Sequence, residues 1–375
     1  MNVLITFLSF AEDVFGGIEN SIFNLAVGLQ RSGAGVAVYT SSLGSRDESV
    51  SGVAAIRNDL LLPAALPVSN ADRDRAITRH LRSQGIEIAE DLARVVEANR
   101  IDVVLACDPL WGIVQICEAW NVYRRPTVLS FHVLNDDRLL EATVRSPYLF
   151  YRAVSHDLAR KLNDRVRLPD VEVIPNSIDL RRFSPRAAWD PASKILFCNS
   201  RIDPGKGIPY LLRAFARFSA RIGGFELWLC AGHSPFGDRS VAIDVVEKEI
   251  RELGIGRSVR MLDNLRWRDV PDYIRRAFAV VLPSLYESFG RGALEALACG
   301  VPIIASRVGN LPSLIGDAGI LVEPASDDAI YEALLRLYEK PKLGMGFHVQ
   351  GPAQAIEYDS GAVAATLLAA IERRL

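Results

Sequence analysis

Ala279-Val-Val-Leu-Pro-Ser-Leu-Tyr-Glu-Ser-Phe-Gly-Arg-Gly-Ala-Leu-Glu-Ala-Leu-Ala-Cys-Gly-Val-Pro302 reads in turn as strand, loop and helix. Residues 279–283 form an unbroken apolar run ending at a proline, as expected of a strand covered on both sheet faces. Gly290 and Gly292 open a helix over 292–299, and 302–306 reads as the next strand. Strand, crossover helix and strand make the unit of a parallel sheet. The same alternation extends upstream, with strands at 194–199, 225–231 and 259–262 and helices at 208–221, 244–253 and 270–276. Downstream, 320–322 closes the series. An earlier series has strands at 3–10, 35–40, 101–107, 126–131 and 150–154, with helices at 19–31 and 86–99. Residues 43–82 are its least regular part. Residues 175–191 carry three prolines and little apolar periodicity, which marks a seam and a plausible hinge. The expectation is an α/β chain of two doubly wound, Rossmann-like domains facing a central cleft, where the carboxyl ends of open sheets bind ligands.

The chain has 375 residues, 49% hydrophobic and 23% charged, an ordinary globular balance that excludes disorder and fibrous repeats. With 43 Lys plus Arg against 45 Asp plus Glu, no overall field collects nucleic acid, so no nucleic-acid partner is expected. No apolar run reaches the roughly 18 residues that span a bilayer, and membrane association is not expected. The apolar start lacks a basic leader and runs into Glu12 and Asp13, so it reads as a buried strand and not a signal peptide. The cysteines (Cys107, Cys117, Cys198, Cys230 and Cys299) are widely spaced with no C-x-x-C pair. That fits buried thiols in a reducing cytosol, hence a cytoplasmic protein. His80, His132, His156, His233 and His348 do not cluster with them, so no metal site is expected.

Four places carry chemistry. Free N–H groups at the helix start after Gly290 suit an anionic phosphate, and the glycines admit a ligand close to the backbone. Glu287, in the loop, and Glu295, about one turn into the helix, can accept hydroxyl hydrogen bonds from an extended polyol. Each also has a structural reading, a carboxylate favoured by the helix dipole or a Glu on a solvated face. In Cys198-Asn-Ser-Arg-Ile-Asp-Pro-Gly-Lys-Gly-Ile208, Arg201 and Lys206 lie on a glycine-bearing strand-to-helix loop and can clamp a diphosphate. The alternative is a surface turn with two solvated cations. The loop is not a Walker motif. Phe15-Gly-Gly-Ile-Glu19 lets backbone approach a ligand after the first strand, but it is no G-x-G-x-x-G, which disfavours a nicotinamide enzyme. His132 follows the strand at 126–131 at its carboxyl end, though a lone His is more often structural.

Taken in order along the chain, these pieces resemble glycosyltransferase family 4, nucleotide-sugar transferases of the GT-B fold that act with retention. Val173-Ile-Pro-Asn-Ser-Ile-Asp-Leu-Arg-Arg-Phe-Ser-Pro185 is similar to the family's interdomain segment, and Glu287-x7-Glu295 to its most specific motif. The resemblance implies an amino-terminal acceptor-binding domain over 1–180, a nucleotide-sugar-binding domain over 181–352, and a terminal helix over 353–375 packing back on the first. It implies that Arg201 and Lys206, with the Gly17 amide, bind the donor diphosphate. Glu287 would hold sugar hydroxyls. Phe289, Gly290, Arg291 and Gly292 would line sugar and phosphate, Glu295 would bind the ribose, and His132 would contact the donor sugar. No cofactor or protein-bound metal is implied; a nucleoside diphosphate sugar is the donor substrate.

The chain departs from the family pattern at Ser313, where a Glu is usual, at Asp263, where a Gly is usual, and at Arg291, where an apolar residue is usual. Asp263 could read guanine and favour a GDP donor over UDP. Arg291 reads more readily as a solvated helix-start side chain than as a ligand group. Over 72–82, four arginines oppose two aspartates without a clean basic and apolar division, so a soluble acceptor, small molecule or glycan, is favoured over a lipid. Neither the acceptor nor the oligomeric state can be read. Competing readings are a GT-B nucleotide-sugar epimerase and a catalytically silent nucleotide-sugar binding protein.

Overall fold

The computed structural model describes residues 1–10, 16–42, 46–62, 70–108, 125–134, 140–141, 147–231, 241–262 and 265–375. Strand β1 (Asn2–Thr6) is buried from Val3 onward because it sits inside a sheet with neighbours on both edges. After it come α1 (Gly17–Arg31), β2 (Gly35–Thr40), the two-residue β3 (Ser49–Val50) and β4 (Val53–Arg57). Helices α2 (Asn70–Ser83) and α3 (Gly85–Ala98) lead to β5 (Val103–Cys107). Strands β6 (Thr127–Phe131) and β7 (Phe150–Ala153), helix α4 (His156–Arg165) and β8 (Val171–Val173) complete the series. The sheet order is β3-β4-β2-β1-β5-β6-β7-β8, parallel except at β3–β4. Ile5 registers with Val38 on one side and Leu105 on the other.

Three strands here escape sequence reading, the two-residue β3 among them. β4 lies within the stretch expected to be irregular; its two alanines and its arginine dilute the signal of Val53 and Ile56, and its first three residues alternate in burial, as in a strand near a sheet edge. β8 is a three-residue strand of intermediate burial at the opposite edge, paired to β7 alone.

The second sheet is built from β9 (Ile195–Cys198), α5 (Ile208–Ile222), β10 (Glu226–Cys230), α6 (Val241–Glu252), β11 (Val259–Leu262) and α7 (Val270–Arg276). It continues through β12 (Ala279–Leu282), α8 (Arg291–Ala298), β13 (Ile303–Ser306), α9 (Leu311–Ile315) and β14 (Ile320–Val322). Helices α10 (Asp327–Glu339) and α11 (Pro341–Ala355) follow. The order is β11-β10-β9-β12-β13-β14, all parallel. The chain winds one way from β9 and the other way from β12. The crevice outside the carboxyl ends of these two strands is therefore the switch point where open sheets take ligands.

The chain divides into one unit of Met1–Ser177 with Ser360–Leu375 and another of Ile178–Asp359. The last helix, α12 (Ser360–Glu372), packs in the first unit against α1. A Cβ at Gly28 would lie 2.1 Å from the Ser360 carbonyl oxygen, so only glycine lets the two helices approach this closely. Arg374 grips Asp170 at 2.7 and 2.8 Å and Glu172 at 2.8 Å beside β8. The proline-bearing segment after Ser177 belongs to the second unit and is fastened there. Trp189 Nε1 donates to the Phe278 carbonyl at 2.9 Å, and Arg275 donates to the carbonyls of Arg182 and Ser184.

Candidate functional site

In the carboxy-terminal unit, β9 runs into a tight loop. Asp203 accepts from the Gly205 amide at 2.9 Å, which closes a single 3-10 turn, Pro204–Lys206. Gly207 follows at φ +63, where a Cβ would lie 2.1 Å from the Pro283 carbonyl oxygen. The Leu285 amide donates to the Gly205 carbonyl at 2.8 Å. The loops after β9 and β12 are thus strapped to each other at the switch point. Across this junction Lys206 Nζ meets Glu287 Oε2 at 2.7 Å, with both side chains about four-fifths buried. Ser284 Oγ also donates to Oε2, at 3.4 Å. Glu287 Oε1 takes part in none of these bonds.

The loop after β13 supports the same place. The Asn310 amide donates to the Glu287 carbonyl at 3.2 Å, and the Asn310 side chain donates to the Phe289 carbonyl at 2.9 Å. Gly290, the N-cap of α8, sits at φ +98. Among the described residues no side chain caps that helix, which leaves the N–H groups of its first turn able to meet another acceptor. Phe289 is buried, and Gly290 and Gly292 lie at the start of the helix.

Glu295 points inward from α8 and is 4% exposed. Its Oε1 accepts from Trp267 Nε1 at 3.0 Å and faces Arg291 Nε at 3.0 Å, and its Oε2 accepts from Asn199 Nδ2 at 3.0 Å. Burial pushes the Glu295 carboxyl above its ordinary range, and Arg291, Trp267 and Asn199 pull it back. The solvated-face alternatives for Glu295 and Arg291 do not hold. One helical turn apart, the two side chains pair, and the Arg291 guanidinium lies 5.0 Å from the centroid of the Trp267 ring. Arg201 is exposed and forms no ion pair among the described residues, so Lys206 reaches Glu287 and Arg201 does not.

In the amino-terminal unit, His132 follows β6 and is buried. Its Nε2 lies 3.3 Å from Ser130 Oγ, which accepts from Arg152 Nη1 at 2.9 Å. Burial, then the Arg152 charge, holds His132 well below the ordinary imidazole range. Gly17 begins α1, is exposed, and follows an N-cap, Gly16, without a side-chain cap. Asp263, expected to read the base, lies outside the described residues. Sequence reading missed Asn199, Trp267, Asn310, Ser130 and Arg152. Arg152 did leave a signal, a guanidinium inside an otherwise uncharged strand run. Trp267 left none, because its partner Glu295 is 28 residues away.

Cys107, Cys198, Cys230 and Cys299 are free and buried, and burial pushes the Cys107 and Cys299 thiols up to about 12, which makes them poor nucleophiles. Among the described residues, no three His, Cys, Asp or Glu side chains gather as a metal cage, and no helix is long and apolar enough to cross a membrane.

Residues 15–182 match the family described as Glycosyltransferase Family 4, and residues 181–351 match that described as Glycosyl transferases group 1. The chain belongs to glycosyltransferase family 4. This family 4 chain is 34% identical over 209 residues to the MMP alpha-(1->4)-mannosyltransferase of Mycolicibacterium hassiacum, covering 55% of this chain and 49% of that protein. It is 32% identical over 195 residues to the D-inositol 3-phosphate glycosyltransferase of Rhodococcus erythropolis, covering 49% of this chain and 44% of that protein. The chain spans about half the length of the curated relatives it matches. The fold is that of sucrose-phosphate synthase from Thermosynechococcus elongatus, with a TM-score of 0.82 at 20% identity, covering 99% of this chain and 98% of that one. HepE from Anabaena, solved in complex with UDP and glucose, gives a TM-score of 0.78 at 18% identity with both chains fully covered. The architecture is GT-B.

Proposed function

We propose that this protein is a retaining glycosyltransferase that moves a sugar from a UDP or GDP sugar to a soluble acceptor, a small molecule or a glycan. The observation that carries the reading is the Lys206–Glu287 pair at 2.7 Å, set at the switch point of the second sheet beside an uncapped helix start. Lys206 and Arg201 supply positive charge for a diphosphate, and the α8 amides supply N–H donors. Glu287 has two tasks. Oε2 holds Lys206 in place, and Oε1 is left to accept sugar hydroxyls. Phe289, Gly290, Arg291 and Gly292 line the sugar and phosphate positions. Glu295 is assigned to the ribose, braced by Asn199, Trp267 and Arg291.

In the reaction the bond between the anomeric carbon and the diphosphate oxygen breaks, and the diphosphate leaves with the electron pair. The acceptor hydroxyl bonds the anomeric carbon on the face just vacated, and its proton passes to the departing phosphate. Charge grows on the leaving group, so fixed cations and amides there lower the barrier most. Lys206 does electrostatic work that a metal could otherwise do, and the reading needs no protein-bound metal. The similarity to a mannosyltransferase and to a D-inositol 3-phosphate glycosyltransferase is consistent with a polyol or sugar acceptor.

Nucleotide sugars screened by thermal shift, followed by acceptor-dependent release of nucleotide, test the reading. A UDP or GDP sugar should raise the melting temperature, and release should require acceptor. No shift with any member of either series would overturn it. Product formed without acceptor would favour an epimerase.

A further inference from the structure

Arg152 is 1% exposed, has no carboxylate partner among the hydrogen bonds it makes, and spends its donors on three oxygens. Nε donates to the Ile174 carbonyl at 2.9 Å and Nη2 to the Pro175 carbonyl at 2.7 Å, which fix the exit of β8. Nη1 donates to Ser130 Oγ at 2.9 Å. A buried guanidinium aimed at a hydroxyl decides which way that hydroxyl turns. Arginine has no acceptor, so Ser130 Oγ must accept on that side and keep its own hydrogen for another neighbour. Among the described residues the remaining neighbour within hydrogen-bonding range is His132 Nε2, at 3.3 Å.

The ring's own options are then unequal. With the proton on Nε2, ring and guanidinium would both donate to Ser130 Oγ, and the fully buried hydroxyl hydrogen would have no acceptor among the described residues. With the proton on Nδ1, the hydroxyl donates to Nε2 and the relay is satisfied. An unmade bond at a buried hydroxyl costs on the order of 1–3 kcal/mol, enough to select one tautomer. The imidazolium is disfavoured by burial and by the Arg152 charge; the Asn176 side chain lies near enough to oppose this weakly, though short of good hydrogen-bond geometry. His132 Nδ1 and Asn176 Oδ1 are both buried without a hydrogen bond.

We propose that Arg152 is a positioning residue that acts through Ser130 to hold His132 as the neutral tautomer protonated on Nδ1, so that Nδ1–H is a fixed donor for a sugar hydroxyl oxygen. The sugar contact rests on the function proposed above; the tautomer rests only on the Arg152–Ser130–His132 chain. The assignment also says what Arg152 does in a strand whose other three residues carry no charge. Long-range imidazole nitrogen–proton NMR on the full chain reads the tautomer directly. Wild-type His132 should be neutral at pH 7 with the proton on Nδ1, and Ser130→Ala should move the population toward Nε2–H. Arg152→Met, which frees the Ser130 hydroxyl to turn, should do the same. A wild-type ring protonated on Nε2 overturns the proposal without any variant. An unchanged Nδ1–H form in folded Ser130→Ala or Arg152→Met overturns it as well. Saturation with UDP-glucose tests the parent reading separately. Movement of the Nδ1–H resonance supports the sugar contact, whereas a still resonance at saturation removes that contact and leaves the tautomer assignment standing.

Discussion

Lys206 and Glu287 are 81 positions apart and meet because each lies just past the carboxyl end of a strand beside the switch point. If Lys206 stabilises a departing diphosphate, Lys206→Ala should lower turnover by at least about a hundredfold, as loss of one preorganised charge-stabilising group often does. Steady-state kinetics would decide it, and near-normal turnover in the variant would argue against the role. Arg291 makes a prediction about pH. Burial already raises the Glu295 carboxyl, and Arg291 is the foremost group opposing that rise. Removing the cation in Arg291→Leu should raise it further. A carboxyl whose folded pKa exceeds its unfolded value stabilises the fold at low pH, and that contribution is lost as pH rises through the folded pKa. The variant should therefore lie close to wild type near pH 4 and fall behind as pH rises toward 8. The neutral-pH deficit should be about 3 kcal/mol, the scale for breaking a buried pair, because Arg291 and Glu295 are 11% and 5% exposed in their side chains. Urea denaturation at both pH values measures it; a deficit independent of pH would exclude the charge explanation.

Among the elements, the two loops at the site are held apart by no more than a glycine. Gly207 combines a left-handed backbone with a 2.1 Å approach of a would-be Cβ to the Pro283 carbonyl, which is backbone and cannot swing away. Gly207→Ala should push the loop carrying Lys206 off the loop carrying Glu287, at a stability cost of about 2 kcal/mol from strain and overpacking together. Nucleotide affinity should fall with it, and titration calorimetry with UDP and GDP reads that loss. Affinity equal to wild type would mean that the junction does not set the site. Gly28→Ala is the matching test in the other unit. Alanine favours a helix over glycine by up to about 1 kcal/mol, so a net gain in stability is the outcome that packing against Ser360 forbids.

For the molecule as a whole, the amino-terminal unit is not contiguous in sequence. Its last piece, α12, buries Val363, Ala364, Leu367, Ala370 and Ile371. Truncation after Asp359 should strip cover from α1 and raise amide exchange in β1, β2 and α1 well before it changes residues 195–322. Hydrogen exchange resolved by segment tests this, and equal loss of protection in both units would contradict the division. Mutating Asp170, which Arg374 holds below the ordinary carboxylate range, should loosen α12 less, by under about 1 kcal/mol, because the pair is partly exposed. That small contribution is present above the unfolded carboxyl pKa and fades as pH falls through the lower folded one.

Periodicity and punctuation are local, and they suffice for the alternation of buried strands and amphipathic helices, for the parallel run of both sheets apart from the short β3–β4 pair, and for placing Lys206, Glu287 and the α8 glycines after strands. They do not reach what depends on partners distant in the chain. Trp267 and Asn199 become braces for Glu295 only when the second sheet brings β9 and α8 together, and Arg291 leaves solvent only because a buried carboxylate and an indole face lie within its reach. β4, diluted by alanine, and β8, three residues long, are not marked out by their own residues, and pairing with β2 and β7 sets them in the sheet. Burial, and with it the charge state of Glu295 and His132, is a property of the packed surroundings. Only the tertiary structure could decide it, because the free energy of a charge depends on the dielectric and the donors that distant residues bring to it.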